Sequence, residues 1–443
     1  MSLTEIISTV GPDCTEDGTI VLREARQRDV TGRYLADLRT KGAQRRAPER
    51  DVSITSIERV VVDGNYPWNL IKVETDVGEY GLGEANPGPV GEYIDYLEPA
   101  LVGENPLDVD RLVEHMTQLL SNLGGTVGYS QAAVSGIETA LWDAAGKLVG
   151  VPAYQLLGGK YRDEVQVYVD CHAGEHVGDA IAQGADGKIN PELIYDPEAY
   201  ADEAREVVDD GFDALKFDLD IPYGDEDTSL RRLTNPAIDH KVAIVEAIRD
   251  EIGTGPILGV DLHWNFTVET ATRLVSKLEP YDLDWIEDPV PPENADAHQK
   301  VTDSTVSPIL TGENLVRVEG FQSYITEQAV DLLCPDVQKC GGMLEFRKIA
   351  TLADAFDMPL VPHNLSSPVG AMATAQACAT IPNAFAMEWH AREVPWWDDS
   401  TIGDRTLIQD GTIAIPEAPG LGIELDESEL NDRLVADQDP IKL

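Results

Sequence analysis

The chain has 443 residues, and its 80 aspartates and glutamates against 33 lysines and arginines give a formal net charge of −47. The acidic residues are spread along the chain and no basic stripe occurs, which excludes nucleic acid as an expected partner. A dispersed acidic surface is typical of a protein that works in molar salt, where the Debye length falls to about 3 Å and self-repulsion is screened. The alternative, an acidic surface for a basic partner, would need a clustered patch.

The dispersed acidity favours a halophilic protein, and cysteine usage and the apolar segments indicate a cytoplasmic one with no membrane partner. The five cysteines are odd in number and scattered, and none forms a Cys-x-x-Cys pair, which is typical of reduced thiols. The N-terminus lacks a charged segment followed by an apolar one, so no secretory signal is predicted. The longest uncharged run, 364–387, contains prolines and an asparagine and is interpreted as a helix and a strand rather than a membrane span.

The chain divides by pattern into an N-terminal extension, an α+β domain, a barrel and a C-terminal segment. These are predicted at 1–52, 53–160, 161–400 and 401–443. The α+β domain begins with three alternating stretches of strand type and continues with helical spacing at 93–101, 107–120 and 130–148. The C-terminal segment is predicted to have no part in the barrel and to pack back against the sheet of the α+β domain.

Eight short apolar runs alternate with helix-length stretches in the third segment. The predicted strands lie at 164–172, 213–220, 257–261, 283–287, 308–312, 331–335, 358–362 and 384–388. An insertion follows the first of them. Eight β/α repeats close a TIM barrel, and chemistry in that fold is built at the carboxyl ends of the strands.

Three carboxylates recur at one spacing in the middle of these repeats. Asp261, Glu287 and Glu313 are 26 residues apart, and each follows a short apolar run. Because a strand, a crossover helix and two loops take roughly 25–30 residues, equal steps place the three acids at the ends of adjacent parallel strands. Three converging carboxylates repel each other unless a cation lies between them, and Mg²⁺ fits such a set. The alternative is three unrelated surface acids.

The repeat continues in steps of 23, 27 and 25 residues to Asp336, His363 and Glu388, which fall at the ends of the last three strands. Asp336 beside His363 is a carboxylate–imidazole dyad, in which the carboxylate orients the ring and makes the other nitrogen a competent base. Glu388 is interpreted either as an acid that holds a substrate oxygen or as a hydrogen-bond acceptor for a neighbouring residue.

Two further residues are predicted to face this cavity. His263 follows Asp261 by two residues, so strand alternation directs it to the same side, either as a catalytic group or as a partner of a metal ligand. Lys216 ends the second strand, across the barrel mouth from His363, and either acts in catalysis or offsets the acidic cluster. The remaining histidines, His172 among them, are interpreted as structural.

Several stretches together resemble the enolase superfamily, in its mandelate racemase-like subgroup. They are GLGEA (81–85), SGIETALWDAAGKLVGVPAYQLLGGKYRD (135–163), VDLHWN (260–265), WIEDPV (285–290), TGEN (311–314), PDVQKCGG (335–342), VPHNLSSPVG (361–370), MEWH (387–390) and PGLGIE (419–424). The resemblance implies an α/β fold, a (β/α)7β TIM-type barrel with an N-terminal α+β capping domain, so that the last helix is absent or displaced. It also implies removal of the proton alpha to a carboxylate and an enediolate held by Mg²⁺.

The resemblance also bears on which reaction follows. Many racemases of the superfamily carry Lys-x-Lys on the second strand, whereas this chain has Lys216-Phe217-Asp218. Asp-x-His on the third strand resembles the galactonate and gluconate type of sugar-acid dehydratase, in which His363 would be the base at C2 and His263 the acid at the 3-hydroxyl. The product would be a 2-keto-3-deoxy acid. The alternatives are a racemase or epimerase of a 2-hydroxy acid, another lyase of the superfamily, or a non-catalytic barrel.

Substrate contacts are predicted in the capping-domain loop and after the last strand. Trp68, Arg392 and Trp396 are the candidates, with packing between the domains as the alternative. The predicted partner is a small-molecule carboxylate, such as galactonate, gluconate or xylonate. The resemblance also implies a homo-oligomer.

Overall fold

The computed structural model describes residues 52–125, 127–173, 196–221, 223, 231–403, 406–435, 438–440 and 442. Ser53–Leu443 forms one compact unit. The predicted N-terminal extension, apart from Val52, and the insertion after the first barrel strand therefore lie outside the described residues. In the described part of the chain, no helix is long and apolar enough to cross a membrane.

The first domain is a three-stranded antiparallel sheet covered by helices. The strands are β1 (Ile54–Asp63), β2 (Pro67–Thr75) and β3 (Tyr80–Ala85), in that spatial order. The helices are α1 (Gly91–Leu101), α2 (Val109–Ser121) and α3 (Tyr129–Val149). Helix α3 lies directly on β3, because Gly81 has no side chain there and an added Cβ would come within 1.9 Å of the Ala140 carbonyl oxygen. Gly150 ends α3 in the left-handed conformation, which glycine adopts without a steric penalty.

Parallel strands form the second sheet. The strand predicted at 257–261 has its predicted bounds, and the others are shorter than or shifted from theirs. They are β4 (Glu164–Cys171), β5 (Ala214–Asp218), β6 (Ile257–Asp261), β7 (Trp285–Glu287), β8 (Ile309–Thr311), β9 (Leu332–Leu333) and β10 (Met387–Trp389). Neighbours in this order are hydrogen-bonded from β4 to β9, and β10 pairs with β4.

The predicted seventh strand at 358–362 is wrong as a full strand. Leu360 alone forms bridges there, to Leu333 on one side and Ala384 on the other. Pro359 and Pro362 flank this position, and proline has no N–H to donate to a ladder. These bridges nevertheless link β9 to the predicted eighth strand, which contains β10, and β10 in turn pairs with β4.

The connections between these strands are helical, as predicted. Helix α4 (Ala153–Leu156) precedes β4. The connecting helices are α5 (Pro197–Asp209), α6 (Asn235–Ile252), α7 (Val268–Leu278), α8 (Ala295–Thr302), α9 (Arg317–Thr326), α10 (Val337–Cys340), α11 (Met343–Asp354) and α12 (Pro368–Ala379). After β10 the described residues contain a 3₁₀ turn at Asp398–Ser400 in place of an eighth barrel helix. This agrees with the (β/α)7β architecture.

Side chains that alternate along the strands fill the barrel and set the position of the site. Tyr168 and Trp285 are fully buried inside, with their rings 5.1 Å apart, and Gly259 leaves the space that Trp285 occupies. Because side chains two residues apart point the same way, Glu287 projects to the same interior side as Trp285. The apolar layer is thus followed by a polar layer at the carboxyl ends of the strands.

The C-terminal segment joins both domains. Strands β11 (Ile408–Gln409) and β12 (Thr412–Ala414) pair with each other, and β12 pairs antiparallel with β4, so the prediction that this segment has no part in the barrel is wrong. Farther on, α13 (Glu427–Asn431) is followed by a bridge from Leu434 to Val62 of β1. That bridge is the predicted return to the first sheet.

Three buried carboxylates of the first domain bind backbone N–H groups of the second. Glu84 accepts from Ser367 and Gly370 at the start of α12, and Asp143 accepts from Leu421. Glu138 accepts from Met343 at 2.8 Å and from Leu344 at 2.9 Å, at the start of α11, and from the Trp142 indole. Negative charge at a helix N-terminus is favourable, so these acids fix the capping domain on the barrel.

Replacing Glu138 with glutamine is expected to lower the free energy of unfolding by about 2–3 kcal/mol. An amide would direct its own N–H groups at one of the backbone donors, which would leave a buried donor without an acceptor. Chemical denaturation checks this, with Glu114→Gln on the exposed face of α2 as the control. Equal unfolding midpoints for the two variants would contradict the clamping role.

Candidate active site

The three predicted metal ligands lie together at the carboxyl ends of β6, β7 and β8. Asp261 and Glu287 are paired residues of neighbouring strands, and Glu313 follows the end of β8. Their exposed fractions are 0, 0 and 5%, and one oxygen from each lies within 4.8 Å of the others. Burying three like charges is unfavourable unless a cation lies between them. The set therefore fits a divalent metal ion with oxygen ligands.

Lys216 contributes positive charge beside this carboxylate cluster. Its Nζ projects inward from β5 and lies 2.7 Å from Glu388 Oε1, 3.1 Å from Asp261 Oδ2 and 3.2 Å from Glu287 Oε2. Burial lowers the pKa of Lys216, but Glu287 and the other carboxylates outweigh this effect and hold the pKa well above its usual range. Among the described residues neither oxygen of Glu287 accepts a hydrogen bond of good geometry. Unsatisfied, buried carboxylate oxygens are what a metal ion would bind.

His363 and Asp336 form the predicted dyad. Asp336 follows β9 and accepts from Gln338 N–H at the start of α10, which fixes its carboxylate. Its Oδ2 lies 2.7 Å from His363 Nδ1, so the ring places Nε2 toward the cluster, 3.3 Å from Glu313 Oε2. Burial by itself would lower the pKa of His363, but Glu313 and the other nearby carboxylates raise it. This is the geometry of an oriented base beside a cation site.

Glu388 lies between the lysine and the histidine. Its Oε1 is the oxygen near Lys216, whereas Oε2 accepts from Asn364 N–H at 2.9 Å and lies 3.9 Å from His363 Nε2. Lys216 and His363 thus approach different oxygens of one buried carboxylate. This position fits both interpretations of Glu388, as an acid that holds a substrate oxygen and as a hydrogen-bond acceptor for a neighbouring residue.

His263 lies at the same cluster, but a turn after the strand places it there rather than strand alternation. Strand β6 ends at Asp261, and His263 and Trp264 follow with φ of +40° and +49°, in the left-handed region. The turn brings His263 Nε2 to 3.8 Å from Asp261 Oδ2 and Nδ1 to 3.3 Å from Asp220 Oδ1 and 3.9 Å from Asp218 Oδ1. Burial acts against the charged ring, but Asp261, Asp218 and Asp220 raise the pKa of His263 well above its usual range.

A second polar cluster, at the ends of β4 and β10, was missed by the sequence analysis. Asp170, His172 and His390 each offer an atom within 4.8 Å of the other two. His172, which was interpreted as structural from the sequence, therefore lies in this cluster. Asn65 and Tyr66 of the capping domain line the same cavity of about 200 Å³. The strand-end rule applied to the first and last strands would have found this cluster.

Arg392 lines that cavity, but its guanidinium is already paired. Nη1 lies 2.7 Å from Glu203 Oε1, and Nη2 and Nε lie 2.7 and 3.2 Å from Asp210 Oδ2. Both acids belong to α5 or its C-terminal end. A substrate carboxylate would have to displace these acids to bind the guanidinium.

The two predicted tryptophans differ in their exposure to the cavity. Trp396 lines it, and its ring lies 5.0 Å from that of Trp68. Trp68 is fully buried, and its indole N–H donates to Asn65 at 2.8 Å. Trp68 is not among the residues that line this cavity, and it contacts Asn65, which does line it.

The fold and the site define a class of barrel protein with an α+β capping domain and acidic metal-binding groups at the strand ends. Two family descriptions match the chain: the enolase C-terminal domain-like family over residues 199–429, and the mandelate racemase / muconate lactonizing enzyme N-terminal domain over residues 47–158. The chain belongs to this mandelate racemase / muconate lactonizing enzyme family, within the enolase superfamily, whose members use a divalent metal ion.

Named relatives are sugar-acid dehydratases. A D-xylonate dehydratase from Haloferax volcanii is 49% identical over 85% of this chain and 88% of its own length. A D-gluconate dehydratase from Thermoproteus tenax is 29% identical over 91% of this chain and 78% of its own. A mandelate racemase/muconate lactonizing enzyme-like protein from Rubrobacter xylanophilus superimposes with a TM-score of 0.82 at 38% identity, over 88% of this chain and 98% of its own.

Proposed function

We propose that the chain is a hydro-lyase that removes water from a sugar acid, with D-xylonate as the first substrate to test. The relative at 49% identity supports this substrate. The observation that carries the proposal is the dyad of His363 and Asp336 at one edge of the carboxylate cluster, with a second imidazole, His263, near Asp261. Dehydration needs one group to take a proton and another to give one, and this site contains both.

We propose Mg²⁺ as the ion that Asp261, Glu287 and Glu313 would hold. Three carboxylates without sulfur or imidazole ligands suit a hard cation, and a few such ligands leave positions for substrate. Bound there, the ion would supply positive charge to the substrate carboxylate while the neighbouring C–H bond is broken.

The chain's own residues then have the following roles in the first step. His363 Nε2 takes the proton from C2, and Asp336 stabilises the imidazolium through Nδ1–H. Lys216 offers an ammonium group to the negative charge that develops on the substrate carboxylate oxygens. Glu388 keeps Lys216 in place through its 2.7 Å contact.

The second step releases water. His263 donates a proton to the 3-hydroxyl as the C3–O bond breaks, so one proton goes from C2 to His363 and one from His263 into the departing water. The resulting enol tautomerises to the 2-keto-3-deoxy acid. Asp218 and Asp220 hold the His263 ring at this edge of the cluster.

Incubation with D-xylonate and Mg²⁺ in D₂O tests the proposal. A 2-keto-3-deoxy acid is the expected product. An epimer with deuterium at C2 and no keto acid would instead establish a racemase or epimerase, which Asp218 at the place of a second lysine makes the less favoured reaction. Absence of both turnover and Mg²⁺ binding would favour a non-catalytic barrel. The predicted halophilic surface, cytoplasmic location and homo-oligomer stay predictions.

Replacing His263 with asparagine is expected to lower the rate of water loss by about 10²- to 10³-fold. Exchange of the C2 proton for deuterium in unreacted substrate should continue, because His363 is untouched. Proton NMR of the recovered substrate and keto-acid analysis measure the two steps separately. His115→Asn on α2 is the control, and a normal rate of water loss in the His263 variant would contradict its role as the acid.

A further inference from the structure

Asn364 holds Glu388 through two hydrogen bonds, one to its side chain and one to its backbone. Asn364 directly follows His363 in the chain and is fully buried. Its backbone N–H donates to Glu388 Oε2 at 2.9 Å, and its side-chain Nδ2 donates to the backbone carbonyl oxygen of Glu388 at 3.1 Å. One residue thus fixes both the carboxylate and the main chain of Glu388.

The two donors of Asn364 are exchanged relative to a regular parallel ladder. Glu388 N–H donates to the carbonyl oxygen of Pro362 at 3.1 Å. In a regular ladder the carbonyl of the same residue accepts from the backbone N–H two positions farther along the neighbouring segment, which here belongs to Asn364. Nδ2 binds that carbonyl instead, so the backbone N–H is available to the Glu388 carboxylate. The Asn364 side chain therefore replaces a strand hydrogen bond and releases a backbone donor into the site.

The Asn364 amide is also fixed at its oxygen. Oδ1 accepts from the Ser366 hydroxyl and, at 3.4 Å, from the Thr374 hydroxyl of α12. Ser366 and Thr374 are themselves buried. Because Oδ1 faces these two donors, Nδ2 is directed at the Glu388 carbonyl, and a reversed amide would place two acceptor oxygens against each other. The exchange of donors is thus determined by the surrounding side chains.

A Glu388 carboxylate without this restraint would interfere with the base. Oε1 lies 2.7 Å from Lys216 Nζ, and Oε2 lies 3.9 Å from His363 Nε2, the atom that takes the C2 proton in the proposed function. A movement of about 1 Å would bring Oε2 within hydrogen-bonding distance of this nitrogen. There it would block the approach of the substrate C–H bond to the ring. The backbone N–H of Asn364 holds Oε2 away from that position.

We propose that Asn364 is a positioning residue that keeps the Glu388 carboxylate beside Lys216 and away from His363 Nε2. The expected effect on rate rests on the proposed function, whereas the expected effect on structure rests only on the hydrogen bonds of Asn364. Because Asn364 follows His363 directly, the loop that presents the base also determines where the neighbouring carboxylate lies.

Replacing Asn364 with alanine is expected to lower the rates of C2 deuterium exchange and of water loss from D-xylonate by about 30- to 100-fold. Without Nδ2, the backbone N–H of residue 364 returns to the Glu388 carbonyl and releases Oε2. Calorimetry should show unchanged Mg²⁺ stoichiometry, because the three proposed ligands are untouched, whereas a misfolded variant would lose it. Wild-type rates would overturn the proposal. If the alanine variant does not fold, Asn364→Leu, which retains the volume of the side chain but donates nothing, provides the same comparison.

A double-mutant cycle with Glu388→Ala separates positioning from a general structural role. When residue 388 has no carboxylate to hold, replacing Asn364 should cost less than about threefold in C2 exchange. An equal loss in both backgrounds would overturn the proposal, because Asn364 would then not act through Glu388. Asn383→Ala is the matched control. Its Nδ2 also binds two backbone carbonyls, those of Ala350 and Met358, but at the amino end of the neighbouring strands, so its rate should stay near that of the wild type.

A crystal structure of the Asn364→Ala variant tests the arrangement without turnover. The backbone nitrogen of residue 364 is expected within hydrogen-bonding distance of the Glu388 carbonyl oxygen, and Oε2 is expected to have moved toward His363. A carboxylate in its wild-type place would overturn the proposal. If the wild type dehydrates no sugar acid, the proposed function fails, whereas this structure still decides whether Asn364 positions Glu388.

Discussion

Replacing His363 with asparagine is expected to lower kcat for dehydration by about 10³- to 10⁴-fold. Asparagine can still contact Asp336, but it has no basic nitrogen to take the C2 proton. Deuterium exchange at C2 should disappear together with keto-acid formation, unlike in the His263 variant. Divalent-ion binding should remain, because His363 is not one of the three proposed ligands.

The matched control for this variant is His298→Asn. His298 is also fully buried, but it lies on α8 beside the Tyr324 hydroxyl, which is 3.3 Å from its Nδ1. Its replacement removes a buried imidazole without touching the dyad. Full turnover by the His363 variant on the true substrate would show that another group is the base.

Removing the metal ion with a chelator is expected to abolish turnover, with a fall of at least about 10³-fold that added Mg²⁺ reverses. Without the metal ion, the carboxylate cluster repels the substrate carboxylate, and Lys216 alone offsets the charge that develops when C2 loses its proton. The Glu287→Gln variant should lose most of its Mg²⁺ affinity. In this variant a neutral amide replaces a buried carboxylate whose two oxygens accept no hydrogen bond from the described residues. Calorimetry measures the affinity directly.

Thermal unfolding provides a second measurement of metal binding that does not depend on activity. An ion that binds only the folded state at about 100 times its Kd stabilises that state by about 2.7 kcal/mol. The melting temperature of the wild type should therefore rise with Mg²⁺, whereas that of the Glu287 variant should not. Glu279→Gln, which alters an acceptor for Val306 N–H away from the site, should behave like the wild type. A chelated enzyme with undiminished turnover would contradict the metal requirement.

The carboxylate cluster and the dyad could be predicted from spacing alone. In repeats of one strand and one helix, equal steps along the chain become neighbouring positions on one rim. Asp261, Glu287 and Glu313 accordingly lie within 4.8 Å of one another, and Asp336 meets His363 at 2.7 Å. The alternating strand and helix stretches likewise predicted the barrel and its capping sheet.

Contacts between distant segments could not be predicted in the same way. Asp170 and His390 meet because the last barrel strand pairs with the first, and finding them requires the strand-end rule to be applied across barrel closure, to strands at opposite ends of the barrel sequence. Arg392 was predicted as a substrate contact from its place after the last strand, whereas the acids of α5 that pair with its guanidinium lie far away in the sequence. Glu138 belongs to a motif that identified the family, but only the structure shows that it binds the start of α11.

The double pairing of β4 has a consequence for biosynthesis. This strand is the first of the barrel, yet its partners β10 and β12 come near the end of the chain, and Tyr168 pairs with Glu388 about 220 residues later. A ribosome must therefore deliver most of the polypeptide before that edge is covered. Until then, a growing chain exposes a hydrogen-bonding edge that another nascent copy could occupy. The connectivity thus makes closure of the barrel slow and late. We therefore expect the chain to depend on chaperones during synthesis.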